Sequence, residues 1–272
     1  MDNFLMLNNG MQMPLLGLGL YRAVGSDEAT TAVTNAVSMG YRLFDTASSY
    51  RNEEEVGTGI RSCGVAREEV FVTTKLWNTA QRLGNIEGAF SRSLERLGLS
   101  YVDLYLVHWP IPGLILDTWK VMEEIYLSGR ARAIGVCNFD EAELSELLEH
   151  AGIVPAVNQI EYHPLYQRPE LLSFCQANGI AVQASCPLAR GAYLNREPLV
   201  KLAEKYHRSP AQIGLRWLVQ KGISVIPKST SLDRQLENSQ IFDFTLLAEE
   251  MAIIDGLSEH FSVLNPPEDL LV

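Results

Sequence analysis

Short runs rich in Val, Ile, Leu and aromatic residues recur along the chain, each separated from the next by an amphipathic stretch. They span residues 15–19, 41–46, 70–75, 101–108, 131–138, 156–161, 180–185 and 223–228. Strands buried on both faces read as near-continuous apolar runs, and the linking stretches carry the helical period, so the pattern is one of repeated βα units around a parallel sheet. The helical stretches are 26–39 (Ser26 as its cap, Gly40 as its stop), 52–63, 85–97, 117–128, 141–150, 168–178, 210–221 and 232–239. Two further helices are expected at 199–206 and 248–256, and FLMLNNGMQMP near the N-terminus reads as a hairpin turning at Asn9-Gly10.

A chain of 272 residues has room for one to two domains of ordinary size. A closed eight-fold barrel alone takes roughly 250 residues. Seven of the runs finish in a polar residue: Asp45, Lys75, His108, Asn138, Gln159, Ser185 and Lys228. Wet loops account for one or two such endings. In a barrel these residues would form one ring at the C-terminal face, where active sites of this architecture are built. The expected fold is α/β, a single (β/α)8 TIM barrel over residues 1–272, with an N-terminal β-hairpin and two extra helices.

Charge and cysteine usage narrow the function classes. The net charge of −11 gives no global attraction for nucleic acid or an anionic membrane. The four cysteines, Cys63, Cys137, Cys175 and Cys186, form no CxxC, so neither a zinc site nor a disulfide framework is expected. No apolar run approaches the ~18 residues of a membrane span, and the first residues lack the pattern of a signal peptide. A cytoplasmic protein, monomeric or weakly homo-oligomeric, is expected.

Asp45, Tyr50, Lys75 and His108 carry the chemistry. Neighbouring strands lie about 4.8 Å apart, so side chains at successive strand ends can converge with Tyr50 in the loop TASSYRNEE. A buried Lys beside a Tyr favours the phenolate and is expected to lower the Tyr pKa, with Asp45 holding Lys75 charged. His108 could hydrogen-bond a substrate oxygen. Together these groups suit proton donation to a carbonyl whose oxygen gains negative charge. Taken singly, each has a plainer role: a structural ion pair, an interfacial aromatic, a core histidine.

The segments LGLGLY, YRLFDTASSYRNEEEVG, VFVTTKLWN, YVDLYLVHWP, IGVCNF, NQIEYHP and VIPKSTSLDRQLEN, in this order, resemble the aldo-keto reductases nearly end to end. The resemblance implies NADPH-dependent reduction of aldehydes and ketones. Tyr50 is then the general acid, Lys75 and Asp45 tune it, and His108 orients the carbonyl. Hydride would come from C4 of the nicotinamide. No GxGxxG follows a strand, which disfavours a dinucleotide fold of the other common type.

By the same resemblance, Asn138 and Gln159 hold the nicotinamide carboxamide, to which amides can both donate and accept. Lys228, Ser229 and Arg234 resemble contacts to an adenosine 2′-phosphate, and Glu237 and Asn238 resemble adenine contacts. Two positions depart from the family. Ser185 stands where an aromatic usually stacks on the nicotinamide, and Cys137 stands where Ser is frequent. Tyr21, Trp77, Trp109 and His108 are expected to line the substrate pocket. The short loop 109–117 and the short tail NPPEDLLV resemble bacterial-type diketogluconate and small-aldehyde reductases. The alternative from another class is a catalytically idle NADPH-binding barrel serving as a regulatory or structural subunit.

Overall fold

The computed structural model describes residues 3–25 and 27–267. The chain opens with an antiparallel pair, β1 (Phe4–Met6) and β2 (Gln12–Pro14), turning through Asn9 and Gly10. Gly10 takes φ +83, a conformation that glycine adopts without steric penalty. Eight parallel strands follow: β3 (Leu18–Gly19), β4 (Leu43–Asp45), β5 (Phe71–Leu76), β6 (Leu104–Val107), β7 (Ile134–Cys137), β8 (Val157–Glu161), β9 (Ala181–Ser185) and β10 (Ser224–Val225). Each pairs with the next in sequence order. The first and last also meet. The Gly17 amide donates to the Val225 carbonyl and the Val225 amide to the Leu15 carbonyl, both at 2.8 Å. Parallel bridges Leu16–Val225 and Gly19–Lys228 flank these bonds and close the sheet into a barrel.

The helices lie where the amphipathic stretches are. They are α1 (Glu28–Ser38), α2 (Glu53–Ser62), α3 (Asn78–Arg82), α4 (Ile86–Leu97), α5 (Ile115–Leu127), α6 (Glu141–Leu148), α7 (Pro169–Ala177), α8 (Glu197–Tyr206), α9 (Pro210–Gln220), α10 (Leu232–Ser239) and α11 (Ala248–Asp255). α8 and α11 are the two additions expected from the sequence, and α3 is a short one that was not expected. The expected cap Ser26 lies outside the described residues. Capping boxes open α6 (Asp140 with Glu143) and α9 (Ser209 with Gln212). Among the described residues no helix is long and apolar enough to cross a membrane.

Two apolar cores result. The larger fills the ring between strands and helices. The smaller lies inside the barrel, where Leu7 and Met13 of the hairpin region pack against Leu43, Phe71, Leu104 and Ala156 near the strand starts. The hairpin therefore plugs the floor and leaves the C-terminal mouth open for a site. Observed strands are shorter than the apolar runs. Pro227 has no N–H to continue the ladder, so the last strand ends at Val225 and Lys228 sits beyond it. His108 and Asn138 likewise stand one residue past β6 and β7.

α2 carries the loop of Tyr50 and is seated closely on α4. A Cβ on Gly57 would lie 2.0 Å from the Leu97 carbonyl oxygen, so only glycine permits this approach. Gly57→Ala is expected to destabilise the fold by about 1–3 kcal/mol or more through overpacking. A urea titration with a lower midpoint and an unchanged slope is the expected result; an unchanged midpoint would show that the helices separate freely.

Candidate active site

The centre of the mouth is a buried ion pair. Lys75 on β5 is fully buried, and its Nζ donates to Asp45 Oδ1 at 2.5 Å, to the Thr46 carbonyl at 2.9 Å and to Tyr50 Oη at 3.4 Å. An ammonium has three N–H groups, and each has an acceptor. Burial alone would push Lys75 toward neutrality, but Asp45, with smaller help from Tyr50 and Cys137, outweighs it and holds Lys75 above its ordinary pKa. The other oxygen of Asp45 accepts from Gln159 Nε2 at 2.8 Å.

Tyr50 is presented by a tight turn. The Ser48 hydroxyl donates to the Lys75 carbonyl at 2.9 Å, and the Tyr50 amide donates to the Ala47 carbonyl at 3.0 Å. Asn52 and Glu53, just beyond Arg51, anchor this turn. Asn52 accepts from the Thr46 hydroxyl at 2.7 Å and donates to the carbonyls of Leu20 and Ala23. Glu53 accepts from the Thr74 hydroxyl at 2.6 Å and pairs with Arg96 at 2.5 Å. Neither Asn52 nor Glu53 was singled out from the sequence, although both lie in the quoted TASSYRNEE segment. An Asn ahead of a helix reads as a cap; here its side chain turns back into the barrel wall.

The expected lowering of the Tyr50 pKa is reversed. Burial raises it, and Lys75 pulls the other way without winning. Tyr50 therefore stays a neutral phenol with a proton to give. His108 is held well below its ordinary pKa by burial and by the Lys75 charge, so its ring is neutral. It packs edge-on to Tyr50 (centroids 5.8 Å apart) and Trp77 (5.1 Å). Its Nδ1 is buried without a partner among the described residues.

These groups border a cavity of about 440 Å³. Asp45, Tyr50 and His108 line it with the aromatic wall Tyr21, Trp77 and Trp109, and with Asn138, Gln159, Ser185 and Lys228. The Trp109 carbonyl accepts from Gln81 of α3 at 3.1 Å, which gives that helix its place in the site. Asn138 takes φ +62, tolerable for Asn, and donates to the His108 carbonyl at 3.0 Å. Ser185 shares this wall with Cys186 and Ile226, neither of which is aromatic. Ser185 Oγ is buried without a partner among the described residues.

The remaining residues marked from the sequence lie outside this cavity. Ser229 is engaged in its own turn, with its hydroxyl 3.2 Å from both the amide and the carbonyl of Ser231. Arg234 is exposed on α10, Asn238 is buried there, and Glu237 accepts from the Ser209 hydroxyl. Leu264, Asn265 and Pro267 complete the cavity rim from the tail. The tail is tied down by Glu161 at the end of β8. That carboxylate accepts from the Ser262 hydroxyl (2.6 Å), the Val263 amide (2.6 Å), the Leu264 amide (3.2 Å) and the His163 ring (2.9 Å). Among the described residues no cluster could hold a metal ion.

The aldo/keto reductase family pattern matches residues 15–259 of the chain. The chain belongs to the aldo/keto reductase family. It is 47% identical over 265 residues to a glyoxal reductase of Bacillus subtilis, covering 97% of this chain and 96% of that one. It is 43% identical over 261 residues to the methylglyoxal reductase DkgA of Yersinia pestis, covering 94% and 93%. The crystal structure of an aldo/keto reductase from Brucella melitensis superposes with a TM-score of 0.90 at 44% identity, covering 94% of this chain and 99% of that one. The reductase is thus an oxidoreductase acting on carbonyl groups, and its barrel is the TIM barrel expected from the strand rhythm.

Neutral His108 has a consequence for stability of the reductase. Its folded pKa lies below the ordinary value of about 6.5. As pH falls through that value, the unfolded chain takes up a proton that the folded chain does not, so stability drops. The melting temperature is expected to fall between about pH 7.5 and about pH 5.5, and less so in His108→Gln. Equal falls in both proteins would show that the ring protonates freely in the fold.

Proposed function

We propose that this chain is an NADPH-dependent carbonyl reductase of small aldehydes and ketones, with Tyr50 as the general acid. The observation that carries this reading is the Tyr50 hydroxyl, 3.4 Å from a fully charged Lys75 and opening into the cavity beside His108. The residues present fit a nicotinamide dinucleotide. Asn138 and Gln159 bring amides to the cavity, and the orphaned Ser185 hydroxyl marks a place where a ligand atom would satisfy a buried polar group. Lys228 stands exposed at the rim and takes part in no ion pair among the described residues, which suits a phosphate. Ser229 and Arg234 would extend that contact along the turn and helix beyond, with Glu237 and Asn238 toward the adenine.

When bound, the reduced nicotinamide supplies a hydride to the carbonyl carbon. The chain's residues manage the oxygen. Neutral His108 donates a hydrogen bond that orients it. Tyr50 gives up its proton as the oxygen gains charge, and the phenolate left behind faces the Lys75 ammonium. Asp45 keeps that ammonium charged and in place. The placement of charge against charge, fixed before the reaction, is what lowers the barrier. The aromatic wall of Tyr21, Trp77 and Trp109 excludes water. The similarity to reductases named for glyoxal and methylglyoxal favours small dicarbonyl aldehydes as substrates.

The direct test is the loss of NADPH absorbance on adding methylglyoxal or an aromatic aldehyde. Binding of NADPH with no turnover on either would favour an idle, regulatory barrel. Tyr50→Phe is expected to lower kcat by about 10²–10⁴-fold while leaving the Kd for NADPH nearly unchanged. Wild-type turnover in that variant would remove Tyr50 as the donor. Lys228→Ala is expected to weaken NADPH about tenfold or more and NADH far less, since a charged hydrogen bond is lost only with the former. Equal losses, measured by fluorescence titration, would place the 2′-phosphate elsewhere.

A further inference from the structure

An unbroken file of side-chain hydrogen bonds runs from the mouth of the barrel to its floor. Gln159 Nε2 donates to Asp45 Oδ2 at 2.8 Å and to Gln183 Oε1 at 2.6 Å. Gln183 Nε2 donates to Ser224 Oγ at 3.2 Å, and the Ser224 hydroxyl donates to the Pro14 carbonyl at 3.0 Å. Gln159, Gln183 and Ser224 are register neighbours on β8, β9 and β10, and all are buried.

Both ends of the file can only accept. Asp45 is a carboxylate clamped by Lys75, and Pro14 offers a backbone oxygen. An amide can be turned over to exchange its oxygen and nitrogen, but here only one arrangement satisfies every contact. Gln159 must show nitrogen to Asp45. The same nitrogen meets Gln183, which must therefore show oxygen. Gln183 then shows nitrogen to Ser224, whose proton goes to Pro14. Reversing Gln159 would set its oxygen against the acceptors of Asp45 and Gln183, and reversing Gln183 would set its N–H₂ against that of Gln159, each in the barrel interior. Both N–H groups of Gln159 are spent inward, so its amide meets the cavity through Oε1 alone.

We propose that Gln183 and Ser224 are positioning residues that set the polarity of Gln159, making it an obligate acceptor that selects ligands bringing an N–H to that point of the cavity. The proposal rests on the reading that a nicotinamide sits against Asn138 and Gln159. It adds that residues with no place on the cavity wall decide how strongly the carboxamide N–H₂ is recognised. Gln183 could be found in the sequence only as a polar residue in AVQAS two positions before Ser185, on the same face of its strand.

The test compares two oxidised dinucleotide phosphates, NADP⁺ and its 3-acetylpyridine analogue, in which a methyl group replaces the carboxamide N–H₂. Their Kd values are read by quenching of tryptophan fluorescence, with no turnover involved. The wild type is expected to prefer NADP⁺ by about tenfold or more, the loss that follows when a built acceptor finds no donor. Gln183→Met, which offers no oxygen to Gln159, is expected to bring the ratio toward one, mainly by weakening NADP⁺. Gln183→Glu keeps an acceptor toward Gln159 and is expected to restore the ratio. Ser224→Ala, far from the ligand and small enough to fold, should shift the ratio in the same direction as Gln183→Met.

If Gln183→Met and Ser224→Ala weaken both ligands equally and leave the ratio intact, the file is only packing and the proposal is wrong. A wild type that binds both dinucleotides equally well overturns the acceptor role while leaving the cofactor reading in place. A wild type that binds neither overturns both.

Discussion

A single positive charge withdrawn from water in the middle of a barrel sets the terms for everything around it. An unpaired ammonium there would be destabilising by several kcal/mol or would lose its proton. Lys75 avoids both outcomes because each of its three N–H groups has an acceptor: Asp45, the Thr46 carbonyl and Tyr50. The charge in turn makes demands. Asp45 must stay ionised, His108 must stay neutral, and Tyr50 must bring its oxygen close. The chemistry at the mouth and the integrity of the barrel centre are therefore one requirement, since removing any of these partners leaves a buried polar group uncompensated.

Much of this was legible in the sequence because both the barrel and the polar ring leave periodic traces. The apolar runs located all eight barrel strands, and the amphipathic stretches located the helices, including the two additions α8 and α11. Lengths were less legible. Runs such as 101–108 and 223–228 continue past the paired segment, because a residue can be apolar without a ladder partner and Pro227 cannot be one. Four site residues stand out as polar closures of apolar runs or, for Tyr50, as an aromatic in a polar loop. Asn52, Glu53 and Gln183 do not stand out. Their work is done through carbonyls and side chains far off in sequence, such as Leu20, Arg96 and Ser224, and nothing local announces such partners.

The sign of the Tyr50 shift shows why placement alone does not fix chemistry. From the sequence a lysine neighbour argues for an acidic phenol. In the fold the same closure that brings Lys75 near also removes water, and desolvation is the larger effect. For the proposed reduction, a donor that keeps its proton until the substrate oxygen becomes basic serves better than a phenolate formed in advance. At Ser185 the wall continues with Cys186 and Ile226. Neither of these side chains carries an aromatic ring.

The tail contacts on Glu161 bear on how such a site can diversify. One carboxylate at the end of β8 gathers the Ser262 hydroxyl and the Val263 and Leu264 amides, and two of these three are backbone groups that any residue provides. Residues beyond this knot border the cavity but share no hydrogen bond with Asp45, Lys75 or Tyr50 among the described contacts. The rim is thus detachable from the reacting centre. Its chemistry can be rewritten in segments grafted after Leu264, with the barrel keeping Tyr50, Lys75 and Asp45 in the same arrangement.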